Sequence, residues 1–577
     1  MNEHGMREIL REAWGIARPY WVSEERWAAR SLLILVVALS LGQVALNVRF
    51  SYWYNAFYNT LQSLDAHGFY VQIALFAGLA TLWVLIGTSR AFLSQMLRIR
   101  WRRWLTDLYL KRWLDHRAYY RLQLTGLSTD NPDQRIAEDV RDFIDSALAL
   151  SLGLLSSIVS FFSFVLILWS LSGPLTIPLG FIGAVTIPAY MVWLVLVYVV
   201  IGTFVTTKIG RPLIGLNFNQ QRYEADFRYS LVRLRENTES IAFYRGEDRE
   251  FDIASGRFRH VVANFWAIMW RSLKVSGFTF SFGQASVLFP YLVQAPRFFA
   301  RQISLGDLQQ TGNAFNQVVE ALSFIINAFG DIALWFAVVR RLSTFDAHVA
   351  EIAREPQAPG ALPIVRQGAG LTVSDLALDL PDGRPLISHV ELSAEPGGAV
   401  LVGGPTGIGK STMLRAIAGL WPFSRGNVRL AQGRIFFVPQ KPYIPLGSLR
   451  QALAYPEDGT VIPDEQLKAV LSKVGLAELG PELDRTDNWS QRLSGGEQQR
   501  LAFARLLLAE PAVIFLDEAT SALDETTEAR FYRMLREAPW RPTIVSVGHR
   551  STLRAFHDRV LDLTALADRP EVTPAVS

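Results

Sequence analysis

The sequence contains no cysteine, which excludes disulfide bonds, thiolate metal sites and cysteine nucleophiles and leaves the fold to packing alone. Charge is also scarce, since only 19% of the 577 residues are charged whereas 50% are hydrophobic. The net charge is +4, and the arginines lie beside apolar runs rather than in a stripe with stacking aromatics, so we expect no nucleic-acid partner. Residues 1–30 lack the apolar core of a cleavable signal peptide.

The composition changes near Arg341. Long runs of Leu, Val, Phe and Trp precede this point, and alternating strand and helix patterns follow it. A chain of this length exceeds a single hydrophobic core, so we predict a multi-domain protein, with an all-α polytopic membrane domain followed by an α/β domain. A run rich in Pro, Ala and Gly from Glu355 to Pro363 separates them. The predicted parts are an amphipathic lead-in (1–30), a six-helix transmembrane domain (31–345), a linker (346–370), the α/β domain (371–563) and a flexible tail (564–577).

Six apolar stretches are long enough to cross a membrane. The second is followed by a dense cluster of arginines and lysines that includes Arg98 and Lys111, so the positive-inside rule places that end, the N-terminus and the α/β domain in the cytoplasm. Only one loop breaks the rule, because it would place Arg297 and Arg301 outside. The first predicted span begins at Ser31, and the others cover about 71–93, 147–171, 177–204, 265–293 and 315–339.

Ionisable side chains at membrane depth are expensive in hydrocarbon, so by default each one faces a cavity or a partner. Glu320, Asp331 and Arg90 are the clearest examples in this chain. One interpretation is a path for a solute or a proton. The other is a helix–helix ion pair between a carboxylate and an arginine such as Arg90, and the sequence leaves both open.

A glycine-rich loop lies between an apolar strand-like run, 399–402, and a run with helical spacing that starts at residue 412. It matches G-x-x-x-x-G-K-[ST] without a gap, which in this context predicts a P-loop for a nucleoside triphosphate. The glycines let backbone N–H groups surround the phosphates, Lys410 reaches the β and γ phosphates, and Ser411 can bind Mg²⁺. The predicted nucleotide-binding residues are Gly404, Pro405, Thr406, Gly407, Ile408, Gly409, Lys410, Ser411 and Thr412.

Two further motifs follow the P-loop. An apolar run ends in Asp517 and Glu518, the Walker B form, in which Asp517 binds Mg²⁺ through water and Glu518 activates the attacking water as a general base. Before it lies LSGGEQQR, whose serine and glycines can present N–H groups and a hydroxyl to a phosphate at the start of a helix, or can simply cap that helix. The site residues of this signature are Ser494, Gly495, Gly496 and Glu497.

With these motifs in this order, residues 371–563 resemble the ABC ATPase family, because other P-loop families do not carry LSGGE between their Walker motifs. The resemblance implies ATP and Mg²⁺ as cofactors. It also implies a Q-loop glutamine at Gln440 that contacts Mg²⁺ and water, a D-loop aspartate at Asp524, and a switch histidine at His549 that contacts the γ-phosphate. One departure is Leu380, which stands where the family has an aromatic residue, so adenine stacking should be weaker.

In this family the signature of one nucleotide domain closes over the P-loop of another. Because each domain occurs once and the chain has no internal repeat, the resemblance implies a homodimeric half-transporter in a lipid bilayer, driven by ATP hydrolysis. Glu518, His549 and Gln440 would form the catalytic group. Each site would combine Lys410, Ser411, Gln440, Asp517, Glu518 and His549 of one chain with Ser494 and Gly496 of the other.

Seven stretches carry a narrower resemblance, at 17–27, 53–58, 131–140, 224–229, 241–247, 419–422 and 440–447. They resemble a group that joins ABC subfamily D with the bacterial SbmA/BacA-like transporters. This implies an exporter-type fold used for uptake of peptides, antimicrobial peptides among them, or of other bulky hydrophilic solutes across the bacterial inner membrane. Two alternatives stay open. One is a subfamily D-like carrier of fatty acyl compounds or a lipid exporter, and the other is a membrane-anchored ABC ATPase with a conformational role but no transport.

Overall fold

A computed structural model describes residues 3–124, 131–178, 184–354, 362–368 and 370–566. They divide into two units. The first holds the described residues up to Arg112 and those from 131 to Ala347, and the second holds Trp113 to Leu124 and the described residues from His348 onward. Most of the predicted tail lies outside the described residues, as do residues 355–361 and 369 of the predicted linker.

The first unit is almost entirely helical. The helices Val140–Ser172, Tyr190–Gly210 and Leu305–Asn327 meet in a core that contains Phe164, Val195 and Phe315, all of them fully buried. The helices of the chain up to the linker are α1 (Glu3–Val22), α2 (Arg26–Gln62), α3 (Ala66–Leu114), α4 (Ala118–Leu124), α5 (Val140–Ser172), α6 (Tyr190–Gly210), α7 (Pro212–Glu236), α8 (Thr238–Tyr244), α9 (Glu247–Phe299), α10 (Leu305–Asn327) and α11 (Phe329–Arg354). A helical turn, Pro132–Gln134, and a π-helical turn, Arg135–Asp139, lead into α5.

Five helical stretches among the described residues are long and apolar enough to cross a membrane: Arg26–Gln62, Ala66–Leu124, Pro132–Ser172, Tyr190–Glu236 and Leu305–Arg354. They contain four of the six predicted spans completely, and the second half of a fifth, 177–204. The remaining prediction, 265–293, forms the middle of the continuous helix α9, where Gly, Ser, Thr, Gln and Pro dilute the apolar residues. Its membrane crossing stays a prediction.

The predicted start of the fourth span, at residue 177, is wrong. Strand β1 (Leu175–Pro178) pairs with β2 (Ala184–Ile187) in an antiparallel hairpin, and α6 begins only at Tyr190. Prolines at 174, 178 and 188 remove N–H donors that a helix would need, so the apolar stretch cannot continue as one helix.

Arg297, which broke the positive-inside rule, lies inside α9 rather than in an exposed loop. Its guanidinium donates to the carbonyl oxygens of Leu171 and Ser172, at the C-terminal end of α5. A cation at this end of a helix satisfies orphan carbonyls and complements the helix dipole. Gly173, which follows Ser172, has φ of +63°, a conformation that favours glycine, and a Cβ there would lie 2.7 Å from the Arg297 guanidinium.

A buried ion cluster joins the start of α5 to α11. Asp139 is 2% exposed and pairs with Arg135 at 2.7 Å and with Arg341 at 2.5 Å. The two arginines occupy both carboxylate oxygens. Because removing one member of a buried cluster leaves an uncompensated charge, Asp139 is expected to be a strong determinant of the stability of this unit.

Asp139→Ala is therefore expected to cost about 3 kcal/mol and to lower the thermal unfolding temperature of the detergent-solubilised protein by several degrees. Asp142→Ala is the matched control, because Asp142 pairs with Arg141 at an exposed position, where such pairs contribute little. Equal unfolding temperatures for the two variants would contradict a structural role for the Asp139 cluster.

The second unit is an α/β domain with a five-stranded parallel sheet in the order β13-β6-β12-β11-β8 and a four-stranded sheet in the order β3-β7-β4-β5. Its strands are β3 (Ile364–Arg366), β4 (Leu371–Asp379), β5 (Pro385–Ala394), β6 (Ala399–Gly403), β7 (Ser424–Leu430), β8 (Ile435–Val438), β9 (Gly447–Ser448), β10 (Thr486–Asp487), β11 (Val513–Asp517), β12 (Thr543–Val547) and β13 (Arg559–Asp562). Its helices are α12 (Lys410–Ile417), α13 (Leu449–Ala454), α14 (Asp464–Lys473), α15 (Trp489–Arg492), α16 (Gly495–Ala509) and α17 (Glu525–Arg536).

The central strands β6, β11 and β12 are buried almost throughout, which agrees with the apolar runs in the sequence and with helices on both faces of a parallel sheet. Because these strands are neighbours and run parallel, the loops that follow them meet at one edge of the sheet. The segment around α4 also belongs to this unit, where Arg117 donates to the carbonyl oxygen of Ala418 at 3.3 Å.

Candidate functional site

The predicted P-loop connects β6 to α12. Gly404, Gly407 and Gly409 have φ of +132°, +80° and +110°, conformations that residues with a Cβ rarely adopt. At Gly409 a Cβ would also lie 2.9 Å from Leu386. The loop therefore curls tightly, and α12 begins at Lys410, two residues before the predicted helical run.

The Lys410 side chain turns back into this loop. Lys410 is 6% exposed, and its Nζ donates to the carbonyl oxygens of Gly404 at 2.6 Å and Pro405 at 3.2 Å. Burial lowers the pKa of the ammonium, although Glu518 and Asp517 act in the opposite direction. A largely buried cation at a glycine loop and a helix N-terminus fits a polyphosphate, whose oxygens would replace the backbone acceptors.

Ser411 and Asp517 meet beside Lys410. The Ser411 hydroxyl donates to Asp517 Oδ1 at 2.8 Å, and burial raises the pKa of this carboxyl while the Ser411 hydrogen bond opposes the shift. Among the described residues no cluster of three or more His, Asp or Glu side chains forms a closed metal site. One hydroxyl and one carboxylate fit Mg²⁺, which keeps several waters and takes further oxygens from a bound phosphate.

Glu518 lies at the end of β11 with φ of +47°, a strained conformation of the kind found at functional sites. Its carboxylate accepts a hydrogen bond from Gln440 Nε2 at 3.0 Å and lies 3.2 Å from His549 Nε2. His549 Nε2 is in turn 3.0 Å from Lys410 Nζ. The structure thus brings together Lys410, Ser411, Gln440, Asp517, Glu518 and His549, which the sequence spreads over 140 positions.

Gln499 is a site residue that the sequence analysis missed. It is 3% exposed on α16, and its amide nitrogen donates to the Gln440 carbonyl and to the Ser521 hydroxyl, both at 3.2 Å. Its amide oxygen accepts from Ala522 N at 2.9 Å. It therefore joins the segment of Gln440 to the one before Asp524. The sequence indicated this role only weakly, because the polar run EQQR is typical of the exposed face of a helix.

The signature residues lie at the start of α16. Ser494 caps this helix, and its N–H and hydroxyl donate to the Glu497 carboxylate at 2.8 and 2.7 Å. Both Ser494 and Gly495 are exposed, and no hydrogen bond in the described part of the chain joins Ser494 to the P-loop of the same chain. Asp524 likewise caps α17 by accepting from Thr527 N at 2.8 Å. These groups are available to a second molecule.

The described turn between β4 and β5, residues 380–384, contains Leu380 and no aromatic residue. Trp421 bonds to the neighbouring carbonyl of Asp379 at 3.0 Å, but it is only 7% exposed and packs in the core. Weaker adenine stacking therefore stays a prediction.

A second candidate site is a polar cavity of about 440 Å³ in the first unit. Glu320 and Asp331 both line it, and both are exposed and have no hydrogen bond or ion pair within the described residues. Arg90 does not line this cavity, and the predicted ion pair with Arg90 is absent from the described part of the chain. The remaining wall consists of Val44, Asn47, Ser156, Ser157, Ser160, Gln317, Ala321, Phe324, Asn327 and Ala328.

Comparison with known proteins identifies the family. Residues 16–299 match the family described as ABC transporter transmembrane region 2, and residues 387–521 match the family described as ABC transporter. An uncharacterized ABC transporter ATP-binding protein of Haemophilus influenzae is 39% identical over 553 residues, which cover 96% of this chain and 92% of the relative. The chain belongs to the ABC transporter family.

This ABC transporter is related to subfamily D. The chloroplastic ABC transporter D family member 2 of Arabidopsis thaliana is 33% identical, over 97% of this chain and 86% of the relative. The fold matches the solved structure of a bacterial Atm1-family ABC exporter with ATP bound, with a TM-score of 0.65 and 19% identity over 92% of this chain and 93% of the exporter. The exporter-type fold and the coupling of ATP hydrolysis to transport are thereby confirmed, whereas the SbmA/BacA-like grouping stays a prediction.

Proposed function

We propose that this ABC transporter is a homodimer that carries bulky, hydrophilic, cationic solutes, with peptides as the leading class. The observation that carries the proposal is the polar cavity of about 440 Å³, in which Glu320 and Asp331 stand without partners and no lysine or arginine contributes to the wall. Two free carboxylates among serine and amide side chains attract positive charge and offer hydrogen bonds. An acidic, hydrogen-bonding wall suits a cationic peptide.

The main alternative is a fatty acyl compound or a lipid, which the relation to subfamily D also allows. A path for such a solute should be apolar, because unpaired carboxylates beside an acyl chain are costly. The acid-lined cavity therefore favours the hydrophilic class. We further propose uptake across the bacterial inner membrane, because the membrane motifs resemble those of peptide-uptake transporters. The arginine-rich loops favour a cytoplasmic ATPase domain.

At the ATP site, bound MgATP supplies the phosphoanhydride whose hydrolysis resets the transporter. The P-loop N–H groups and Lys410 would bind the phosphates, and Ser411 and Asp517 would hold Mg²⁺. Glu518 takes the proton of the attacking water, while Gln440 and His549, at 3.0 and 3.2 Å, hold the carboxylate in place. Gln499 keeps the Gln440 segment fixed to the signature helix.

The exposed Ser494 and the half-buried Gly496 complete the site of a second chain in this proposal. Closure of two ATPase domains around two ATP molecules then favours one state of the membrane domains, and hydrolysis releases it. The dimer thereby couples each catalytic cycle to a change in access to the solute cavity.

Replacing both cavity carboxylates, Glu320→Gln with Asp331→Asn, should lower uptake of a labelled cationic peptide about tenfold, because two attractive charges are removed. Uptake of a neutral analogue of the same length should fall much less. Glu239→Gln, an exposed carboxylate on α8, is the control and should leave both unchanged. If the double variant affected the two peptides equally, the acidic wall would not select for charge.

A further inference from the structure

A second cavity, of about 500 Å³, lies in the first unit beneath α1 and has an almost wholly apolar wall. Helix α1 contributes one face at helical spacing, through Leu10, Ala13, Trp14, Ala17 and Trp21. The opposite wall comes from α2, α3, α5 and α11, through Arg30, Leu33, Trp101, Phe143, Ala147, Leu148, Ser151 and Trp335. A volume of this size lies within the usual range of small-molecule sites.

Aromatic contacts fix the shape of this cavity. Trp101 packs edge-on against Trp21 and Phe143, at centroid distances of 5.3 and 5.9 Å, and Phe143 stacks on Trp335 at 6.2 Å. The indole N–H of Trp101, a residue that is only 3% exposed, has no acceptor among the described residues. Such a buried donor can be satisfied by a water molecule or by an oxygen of a bound molecule.

The predicted spans indicate that the cavity lies where a bilayer changes from headgroups to hydrocarbon. Arg30 immediately precedes the first apolar span, and the α5 part of the wall runs from Phe143 to Ser151, across the predicted start of the third span. Helix α1 has the composition of an interfacial helix, with Trp and Leu on one face and arginines elsewhere. Leu10 and Trp14 remain 50% and 59% exposed, so one side of the cavity stays open.

Arg30 is the single charged residue of the wall, and it is exposed. Its Nε donates to the carbonyl oxygen of Trp21 at 3.1 Å, and no carboxylate pairs with it among the described residues. The guanidinium therefore keeps donors for an anion at the rim of an apolar cavity. A ligand with an apolar chain, ester oxygens and a negative headgroup is complementary to these features.

We propose that this cavity is a binding site for one anionic phospholipid of the surrounding bilayer. One acyl chain fills the aromatic cavity, and the headgroup phosphate meets Arg30. The lipid fastens α1 to the membrane helices and is not transported. It occupies a different place from the acid-lined cavity, whose wall shares no residue with this one.

Native mass spectrometry of the purified full-length protein tests this proposal, with phosphatidylglycerol and phosphatidylcholine of identical acyl chains as probes. The first phosphatidylglycerol should bind the wild type about fivefold more tightly than the first phosphatidylcholine. Arg30→Gln should remove this preference, whereas Arg26→Gln, an exposed arginine outside the wall, should keep it. Ala147→Phe should weaken binding of both lipids, whereas Ala149→Phe, on the exposed side of α5, should not.

The proposal is overturned if the wild type binds both lipids equally, or if Arg30→Gln and Ala147→Phe bind like the wild type. The proposal is also overturned if the controls Arg26→Gln and Ala149→Phe change lipid binding as much as Arg30→Gln and Ala147→Phe do, because the change would then not depend on the cavity. Ala147→Phe changes packed surroundings and can prevent correct folding. If this variant is not monodisperse, the test relies on Arg30→Gln, which changes an exposed residue. ATP-dependent movement of phosphatidylglycerol between leaflets of proteoliposomes would make the lipid a solute and would also overturn a resident role.

Discussion

Glu518→Gln is expected to lower ATP turnover by roughly 10²- to 10⁴-fold and to leave ATP binding intact. Glutamine keeps the size of the side chain, so its neighbours Gln440 and His549 are retained, but it cannot take a proton from water. Phosphate release and binding of a fluorescent ATP analogue by the purified protein measure the two properties separately.

Glu525→Gln is the matched control, because Glu525 is an exposed carboxylate in the first turn of α17. It should hydrolyse ATP like the wild type. If Glu518→Gln retained turnover within about tenfold of the wild type, another group would have to activate the water. Loss of ATP binding in this variant would instead assign Glu518 a role in holding the P-loop.

A mixture of Lys410→Ala chains and Ser494→Arg chains is expected to recover ATPase activity that neither chain has alone. Lys410→Ala removes the largely buried ammonium of the P-loop, and Ser494→Arg places a bulky group at the exposed signature. In a mixed dimer both lesions fall in one site, and the other site combines an intact P-loop with an intact signature. Recovery follows only if each site is shared between two chains.

Differently tagged chains, purified in tandem, give the mixed dimer for this assay. Lys473→Ala and Gln491→Arg, at exposed positions, are the controls and should each be active alone. An inactive mixed dimer that still binds ATP would contradict shared sites. Full activity of Ser494→Arg alone would show that the signature serine is a helix cap and nothing more.

The meeting of Lys410, Asp517 and Glu518 was largely predictable, because each belongs to a short motif whose chemistry fixes its residue types. The P-loop needs glycines at positive φ, and Gly404, Gly407 and Gly409 have it. Strand ends were readable from uninterrupted apolar runs, and the parallel order of β6, β12 and β11 brings their loops together. Most spans were predictable for a similar reason, since hydropathy over twenty residues depends little on tertiary contacts.

Features that depend on distant partners were not predictable. The hairpin of β1 and β2 replaces part of an apolar run, and the roles of Arg297 and Gln499 emerge only from carbonyl groups supplied by other elements. The cavity of Glu320 and Asp331 is similar, because the sequence marked both carboxylates but could not show that Arg90 leaves them unpaired. A polar residue in an apolar or helical pattern predicts that the residue has a partner, but the pattern does not identify that partner.

Uptake of a labelled cationic peptide into intact cells tests the central claim most directly, with the wild type, Glu518→Gln and an empty vector compared at matched expression. If ATP hydrolysis drives transport of the peptide, the labelled peptide should accumulate in wild-type cells. With Glu518→Gln it should reach only the level seen with the empty vector. Equal accumulation with the wild type and Glu518→Gln, or none above the empty vector with the wild type, would contradict it.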